Sequence, residues 1–403
     1  MRELPENLAL KVERAKLEHD HALVDRLAAG AFAGDLLADP LVAAFQEMPG
    51  GAGWEMLDRA LLEGPEAVPD APPPLAELVA PAFEPPAWVD LDLVDAGALA
   101  FWRSGGINLG LALMCGSLAY GYQSARLTRP LAATGRLAQM APKRLRETGR
   151  WVSAATKPGA LRPGAEGLRA TVRLRMVHAL VRAHLLGSPD WDLGEWGVPI
   201  SASDTLVTAI GGFLVVPLRA LEDLGVRLSP AELEAMTHQW TWIGALMGTP
   251  EELLPSSYAE AQETLAAALA LDEGPNEDSP KLMHALLHYG AELPFERRLP
   301  RLARRPGRAA KARLLGAFVR RWMDAEMADR LGVPNTNLTR LTPMLRPLAL
   351  AREIARASHL LGSDKRIAAL ELAFVERIAA MRAEPDETIE PREAERQPVL
   401  SAA

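Results

Sequence analysis

The stretch LRATVRLRMVHALVRAHLLG, residues 168–187, decides both the fold class and the candidate site of this 403-residue chain. One of its faces carries residues at intervals of three and four, the spacing of an amphipathic α-helix: Leu174, His178, Val181 and Leu185. Pro-Gly precedes the segment and Gly-Ser-Pro ends it, which are helix-boundary signals. We therefore predict a helix over 168–186 with His178 in the middle of its core-facing side.

The rest of the chain has the same helical character. Apolar residues make up 49% of the composition and aromatic residues only 5%, and the abundant Ala and Leu are good helix formers. No segment alternates at a period of two, as a strand would. The fold class is predicted to be all-α, a single large helical domain. Further helices are predicted near residues 91–103, 107–125, 128–141, 143–156, 204–224, 230–247, 257–272, 280–291, 309–330, 340–361 and 364–382.

Composition divides the chain into four regions. Residues 1–85 are predicted to form an N-terminal helical arm that ends in a proline-rich linker or wrapping segment. Residues 86–335 form the core, and residues 336–382 form C-terminal helices that pack on it. Residues 383–403 are charged and contain prolines, which favours a disordered tail.

Two helix starts carry explicit capping signals. Ser229-Pro-Ala-Glu232 and Thr249-Pro-Glu-Glu252 each place a hydroxyl at the N-cap, a proline at the first helical position and a glutamate at the third. Both are predicted to begin α-helices.

Charge and targeting signals narrow the partners and the compartment. The net charge of −8 is spread along the chain without a basic face, so nucleic acid is not an expected partner. The N-terminal residues lack an apolar signal-peptide region, which leads to the expectation of a cytoplasmic protein. The most apolar stretch, 107–122, is shorter than the roughly twenty residues that span a bilayer, so stable membrane insertion is not expected.

The sequence motifs of several common enzyme classes are absent. The chain has no GxGxxG, no P-loop GxxxxGK[ST], no GxSxG and no HExxH motif. Its single cysteine, Cys115, excludes an intrachain disulfide, a cysteine metal cluster and the CxxCH attachment of c-type haem. Any haem would therefore be held non-covalently.

His178 has two interpretations at this point. A buried imidazole needs a partner for each ring nitrogen, and a cofactor iron together with a backbone carbonyl would supply both. A histidine on an apolar face is more often a hydrogen-bonded core residue, and spacing alone does not choose between the two. Arg175 and Arg182 flank it at i−3 and i+4, where they would neutralise propionates or substrate charge, or lie solvated at the rim.

One further helix face and one pair of histidines are weaker candidates for a site. Arg144, Thr148 and Trp151 share one helix face, which fits either a pocket wall or an ordinary amphipathic helix. His284 and His288 are one turn apart and fit a metal site, although no carboxylate accompanies them at the expected spacing.

Asp204 and Thr208 lie one turn apart, just before the run GGF at 211–213. An aspartate suits the positive N-terminal end of a helix, which is the ordinary explanation. The paired glycines would let a bulky group, such as a planar cofactor, approach the backbone closely. The basic run 297–321 is interpreted as a solvated loop leading into a helix, with contact to an anionic surface as the alternative.

Six short segments, taken in order along the chain, resemble one known family. They are TGRL at 134–137, Arg144 to Thr148, VRLRMVHA at 172–179 with Arg182, PISASD at 199–204 with Thr208 and Phe213, Trp240 or Trp242 before Gly248, and ELLP at 252–255. MADRLGVP at 327–334 is also similar. The family is the haem-dependent oxygenase domain of bacterial latex-clearing proteins, or rubber oxygenases, which MpaB-type oxygenases share. The resemblance covers about residues 90–335.

The resemblance implies an all-helical fold with a globin-like core that holds haem b, with His178 as the proximal iron ligand. Arg175 matches an arginine of the family's haem-site motif. Arg182, Thr208 and Phe213 fall in the similar segments. These five are the expected cofactor-binding residues.

On the distal side, where dioxygen and substrate meet, Arg144 and Thr148 match polar positions of the family. Together with Glu147 they are the expected catalytic residues. The family's best-known chemistry is dioxygen-dependent cleavage of a carbon–carbon double bond in an apolar isoprenoid chain. A small apolar substrate and dioxygen are therefore expected, and an electron donor is a partner that such chemistry allows.

Two features depart from the family pattern. Where latex-clearing proteins carry a distal lysine, this chain has Glu147, which alters the electrostatics of that side. The expected export signal is absent, and because rubber is an extracellular polymer, rubber itself is not the expected substrate. Two alternatives to an enzyme stay open: a haem-binding sensor or carrier without turnover, and a haem-free helical interaction protein with His178 in its core.

Overall fold

The computed structural model describes residues 4–133, 137–292 and 301–382. These three ranges are helical and contain no β-strand. The helices of the N-terminal arm are α1 (Glu6–Ala15), α2 (His21–Gly30), α3 (Ala38–Glu47), α4 (Ala52–Glu63) and α5 (Pro73–Phe83). The core follows with α6 (Leu91–Arg103), α7 (Gly106–Gly121), α8 (Ala125–Ala133), α9 (Leu137–Ala155), α10 (Glu166–Leu186), α11 (Leu193–Trp196), α12 (Ala202–Leu224), α13 (Pro230–Leu246), α14 (Tyr258–Leu271), α15 (Ser279–Gly290), α16 (Arg301–Trp322) and α17 (Ala325–Arg330). The last helices are α18 (Arg346–Ala357) and α19 (Asp364–Arg382). The predicted all-α, single large helical domain is confirmed.

Two apolar helices, α7 and α12, pack against each other in the core. Each contains a π-helical segment, Ala112–Leu118 in α7 and Val207–Val215 in α12. Such segments are rare and occur frequently at functional sites. By length and composition α12 could cross a membrane, but 72% of its apolar window is buried inside the protein, as in the core helix of a globular domain.

The N-terminal arm shares one hydrophobic core with the rest of the domain. Val24, Leu41 and Leu75 are fully buried and belong to the same packed cluster as Trp240 of α13. The proline-rich stretch, predicted to be a linker or a wrapping segment, contains helix α5. Pro73 begins this helix, because the first helical position needs no amide hydrogen.

Of the two predicted capped helix starts, one is confirmed and the other is wrong. Ser229 forms a capping box with Glu232 and begins α13. After Thr249 only a single 3-10 turn forms, Glu251–Leu253. Pro255 explains the difference, because a proline restricts the preceding residue to extended backbone and so stops a helix.

Three other predicted boundaries are also wrong. The predicted break near residue 142 is absent, because α9 runs through Pro142. The predicted helix 309–330 is divided where the Asp324 carboxylate accepts backbone amides and caps α17. The predicted helix 340–361 starts later, with α18, after two 3-10 turns.

A buried ion-pair network fastens α18 and α19 to the core. The Arg103 side chain is 1% exposed, and its guanidinium contacts Glu232 at 2.5 Å and Glu353 at 3.3 Å. Arg352 then pairs with Glu371 of α19 at 2.8 Å. Because a buried charge without a partner is strongly unfavourable, these contacts fix where the C-terminal helices lie.

Gly97 lets α6 and α13 pack at close range. A Cβ at this position would lie 2.4 Å from the backbone carbonyl oxygen of Ala235. We expect Gly97→Ala to lower the free energy of unfolding by roughly 1–3 kcal/mol, because the helices must move apart. Denaturant unfolding measures this change.

Gly149→Ala is the matched control. Gly149 lies in α9, and a Cβ there would meet no atom within 4 Å. Removing a glycine from an exposed helix position is expected to raise the stability by about 0.5–1 kcal/mol. Equal stabilities of the two variants would contradict the close-packing account.

Candidate functional site

A cavity of about 490 Å³ lies between the arm helix α2 and the core helices α7–α10, α12 and α14. Its volume is in the range of ligand and cofactor pockets. Most of its wall is apolar, with side chains such as Leu174, Val181 and Leu265. Gly121 and Gly212 widen it, since a Cβ at these positions would have its nearest neighbours at 4.0 Å and 3.9 Å, respectively.

His178 projects from α10 into the wall of this cavity, beside Leu174. The predicted apolar stripe thus faces a cavity, except at its end, where Leu185 is packed in the interior. Burial lowers the pKa of His178 to about 4, the positive charge of Arg182 adds to the effect, and Asp35 opposes it. The imidazole is therefore neutral at pH 7, which is the form that binds a metal.

Helix α9 brings the three predicted catalytic residues, Arg144, Glu147 and Thr148, to the same cavity. Nη1 of Arg144 donates to the carbonyl oxygen of Leu131 at 2.9 Å. Desolvation lowers the pKa of Arg144 and Glu147 opposes this effect, but a guanidinium keeps its charge in proteins. The Glu147 side chain is 54% exposed. Glu147 thus lies at the opening of the cavity.

Helix α12 contributes Thr208 and Asp204 to the wall. Asp204 forms a capping box with Ser201 at the start of the helix, which confirms the ordinary explanation of this aspartate. Its carboxylate also accepts a hydrogen bond from Nε of Arg126 at 3.0 Å. The Thr208 hydroxyl donates to the backbone carbonyl of Asp204 at 2.7 Å. Both side chains are therefore held by hydrogen bonds within the protein.

Three aromatic rings stiffen one part of the wall. Phe213 stacks on Trp240 with ring centroids 5.3 Å apart and an interplanar angle of 6°. Trp151 packs edge-on against both rings, and its Nε1 donates to the Thr171 hydroxyl at 3.1 Å. Phe213 and Trp151 touch the cavity directly. The result is an aromatic wall with little freedom to rearrange.

Arg175 and Arg182, expected at the cofactor, do not line this cavity. Arg175 forms a bidentate ion pair with Asp35, with N–O distances of 2.6 and 2.8 Å. Arg182 pairs with Asp39 at 2.8 Å and donates to the carbonyl of Ile200 at 2.5 Å. Carboxylates of the N-terminal arm thus turn both guanidinium groups away from the cavity. Their expected contact with a cofactor stays a prediction, and in this structure both guanidinium groups are held by these ion pairs.

A polar cluster in the cavity wall was not predicted. Asp272, just past α14, accepts hydrogen bonds from the Ser124 hydroxyl at 2.5 Å and the Gly274 amide at 2.7 Å. Burial raises the pKa of Asp272 to about 6, although both bonds oppose the shift. Tyr120, hydrogen-bonded to Gln123, also has a pKa raised by burial. A carboxylate beyond a helix end belongs to no periodic pattern, so the sequence carries no signal for it.

The remaining predicted ligands do not assemble a metal site. The rings of His284 and His288 lie 4.1 Å apart between centroids. Among the residues that the structure describes, no three His, Cys, Asp or Glu side chains are grouped to hold a metal ion. The basic run 297–321 begins outside the described residues and belongs to α16 from Arg301 onward. Residues 134–136 of the TGRL segment also lie outside them.

Asp272 is expected to shape the pH dependence of stability. Its pKa of about 6 in the folded protein lies above the ordinary value of 3.8. The carboxyl group therefore contributes stability below pH 4 that is lost as the pH rises through 6. Asp272→Asn removes this loss. We expect the variant to be more stable than the wild type at pH 7.5, by on the order of 2–3 kcal/mol, and equal to it near pH 4.

Thermal unfolding of both proteins from pH 4 to 8 measures this difference. Asp190→Asn, at an exposed position, serves as the control and is expected to follow the wild type throughout. A difference between Asp272→Asn and the wild type that stays constant over this range would show that titration of Asp272 is not its cause.

Known oxygenases are similar to this chain in sequence and in fold. A rubber oxygenase from Streptomyces sp. (strain K30) is 28% identical over 322 residues, which cover 78% of this chain and 74% of that protein. The structure of latex clearing protein LCP in the closed state matches with a TM-score of 0.63 at 24% identity, covering 87% of this chain and 91% of that chain. The model of the family described as "ER-bound oxygenase mpaB/B'/Rubber oxygenase, catalytic domain" matches residues 102–357. Since this match spans more than half of the sequence, the chain belongs to that family of oxygenase catalytic domains.

Proposed function

We propose that this protein is a haem b-dependent oxygenase. In this proposal it uses dioxygen to oxidise or cleave a carbon–carbon double bond in a small apolar, isoprenoid-like or lipid-like substrate. The observation that carries the proposal is a neutral imidazole, His178, in the wall of an apolar cavity of about 490 Å³. Membership of an oxygenase family supports the reaction class. The similarity to a rubber oxygenase supports a polyisoprene-like substrate.

The residues of the cavity fit haem b. A histidine must be neutral to bind iron, and the lowered pKa of His178 keeps it neutral. Among the described residues, His178 is the only histidine that lines the cavity. One imidazole suits a metal that a macrocycle already holds, whereas a metal bound by side chains needs several ligands. The rigid aromatic wall of Trp151 and Phe213 and the open space at Gly212 suit a large apolar group.

Each part of the site has a separate task in this proposal. When bound, haem would supply the iron that activates dioxygen. His178 would bind the iron and fix the haem to α10. Arg144 and Thr148 would orient polar atoms by hydrogen bonds, because their guanidinium and hydroxyl groups line the cavity. Apolar side chains such as Leu174 and Leu265 would hold the substrate and keep water out.

Glu147 takes a different place from the one expected of a catalytic residue. Its side chain is 54% exposed at the opening of the cavity. We propose that it acts at the entrance, where its carboxylate balances the positive charges of Arg144 and of Lys143, which lies 3.9 Å away. The distal lysine of latex-clearing proteins would have the opposite effect at the matching position.

Haem binding tests the proposal most directly. Purified protein reconstituted with haemin is expected to show a Soret band, and His178→Ala is expected to bind haemin more weakly, by on the order of tenfold or more, with a changed spectrum. His184→Ala is the matched control, because His184 lies on the same helix with an exposed side chain. Its spectrum should equal that of the wild type. An unchanged spectrum in His178→Ala would rule out His178 as a ligand of the iron.

Turnover tests the substrate class. Gly121→Phe places a ring in the cavity and is expected to lower kcat/KM for an isoprenoid hydrocarbon by roughly tenfold or more, because each step of 1.4 kcal/mol in binding is a factor of ten. Dioxygen uptake and formation of carbonyl products are the measurements. Gly110→Phe is the control on the same helix, since Gly110 is exposed and does not line the cavity.

A haem-loaded wild type that consumes no dioxygen with any isoprenoid probe would contradict the enzymatic part of the proposal. A permanently occupied sixth coordination position would then favour the sensor or carrier. Equal loss of activity in Gly121→Phe and Gly110→Phe would show that the cavity is not the substrate site.

A further inference from the structure

A second, much smaller cavity of about 10 Å³ lies against His178. This volume is about that needed for one water molecule. His178 and Ile200 contribute to the walls of both cavities. The remaining wall of the small cavity includes Asp35, Arg175 and Arg182. The imidazole therefore has the large apolar cavity on one side and a small polar one on another.

One nitrogen of the imidazole lacks a partner. Nδ1 of His178 is buried and has no hydrogen-bond partner in the part of the chain that the structure describes. A buried ring nitrogen in this situation is unfavourable unless water or a polar group satisfies it. The small cavity offers the space for such a water beside charged groups.

The charged wall of the small cavity is held rigidly. The Asp35 carboxylate accepts both donors of Arg175 and the backbone amides of Leu37 and Ala38. Gly248 has a φ of +90°, and a Cβ on it would lie 2.1 Å from Oδ2 of Asp35. Only glycine at this position leaves room for the ion pair.

Backbone strain is concentrated at the same place. Ile200 has a φ of +52°, a conformation that β-branched residues rarely adopt. Its carbonyl oxygen accepts a hydrogen bond from Nη1 of Arg182 at 2.5 Å. Strained residues persist where the surrounding structure fixes them, and such residues cluster at functional sites. The wall behind His178 is thus built from constrained parts.

We propose that one water molecule occupies the small cavity, accepts the Nδ1–H of His178 and donates to the Asp35 carboxylate. This inference rests on the proposed function for its consequence: a carboxylate linked to the imidazole raises the basicity of the other ring nitrogen toward iron. Asp35 is then a positioning residue. It belongs to the N-terminal arm, outside residues 102–357 that the family model matches.

Through Asp35, the N-terminal arm therefore influences the basicity of His178 in the oxygenase domain. The tautomer with the proton on Nδ1 leaves Nε2 as the nitrogen with a free lone pair. Asp58, a carboxylate of the arm that pairs with Arg173 of α10, lines neither cavity and has no such link. The two carboxylates of the arm thus differ in their expected effect on His178.

Nuclear magnetic resonance of haem-free protein labelled with ¹⁵N-histidine tests the hydrogen bond itself. The ring-nitrogen signals of His178, assigned by their loss in His178→Ala, are expected to show the Nδ1–H tautomer. Asp35→Asn is expected to shift the Nδ1 signal, and Asp58→Asn is expected to leave it in place. The Nε2–H tautomer in the wild type would overturn the inference, whatever the protein does with haem.

Resonance Raman spectroscopy of the haem-loaded ferrous protein tests the consequence. We expect the iron–histidine stretching frequency to fall in Asp35→Asn and to stay unchanged in Asp58→Asn. Ala202→Val is a second variant that keeps the Asp35–Arg175 ion pair while filling the small cavity, and it is expected to lower the frequency as well. Unchanged frequencies in Asp35→Asn and Ala202→Val, or an equal fall in Asp58→Asn, would overturn the inference. Failure of the proposed function would appear separately, as absent haem binding or no dependence on His178.

Discussion

Two ion pairs between the N-terminal arm and α10 determine how that helix is rotated. Arg175 and Arg182 lie three residues before and four residues after His178, and their partners Asp35 and Asp39 come from one short segment of the arm. A guanidinium buried without a partner is strongly unfavourable, so α10 must keep its arginines against the arm. The same rotation presents His178 to the cavity. The position of the candidate ligand therefore depends on contacts that its neighbours one turn away make with the arm.

A cavity of about 490 Å³ also has to resist collapse, because packed interiors normally leave little unfilled space. In this protein two features keep the cavity open: irregular helix backbone and a cluster of packed aromatic rings. The π-helical segments interrupt the regular spacing of side chains along α7 and α12. Phe213, stacked on Trp240 and held at its edge by Trp151, cannot turn into the space without breaking the cluster. Gly212 then leaves open space beside this rigid wall.

Much of this arrangement could be predicted from the sequence, because helical periodicity and capping are local properties. The helix of His178 and the capping box of Ser229 follow from residues within a few turns. The capping signal at Thr249 alone gave a wrong prediction, because Pro255 prevents a helix from forming there. The pairing of Asp35 with Arg175 could not be predicted, since 140 residues separate the two and no sequence pattern links them. The residues that hold the site in place were therefore harder to find than those that line it.

The ionisable groups of the cavity wall compensate one another, and this has a consequence for substrate choice. Arg126 faces Asp204, Arg144 interacts with Glu147, and the imidazole is neutral. Asp272 has a raised affinity for a proton and lies near the positive charge of Arg126. A charged substrate entering this cavity would lose its hydration without meeting an uncompensated opposite charge. An apolar substrate has no such favourable hydration to lose, and removing its surface from water is favourable. The preference proposed for apolar compounds is thus electrostatic as well as steric, and it follows from how the protein pairs its own charges.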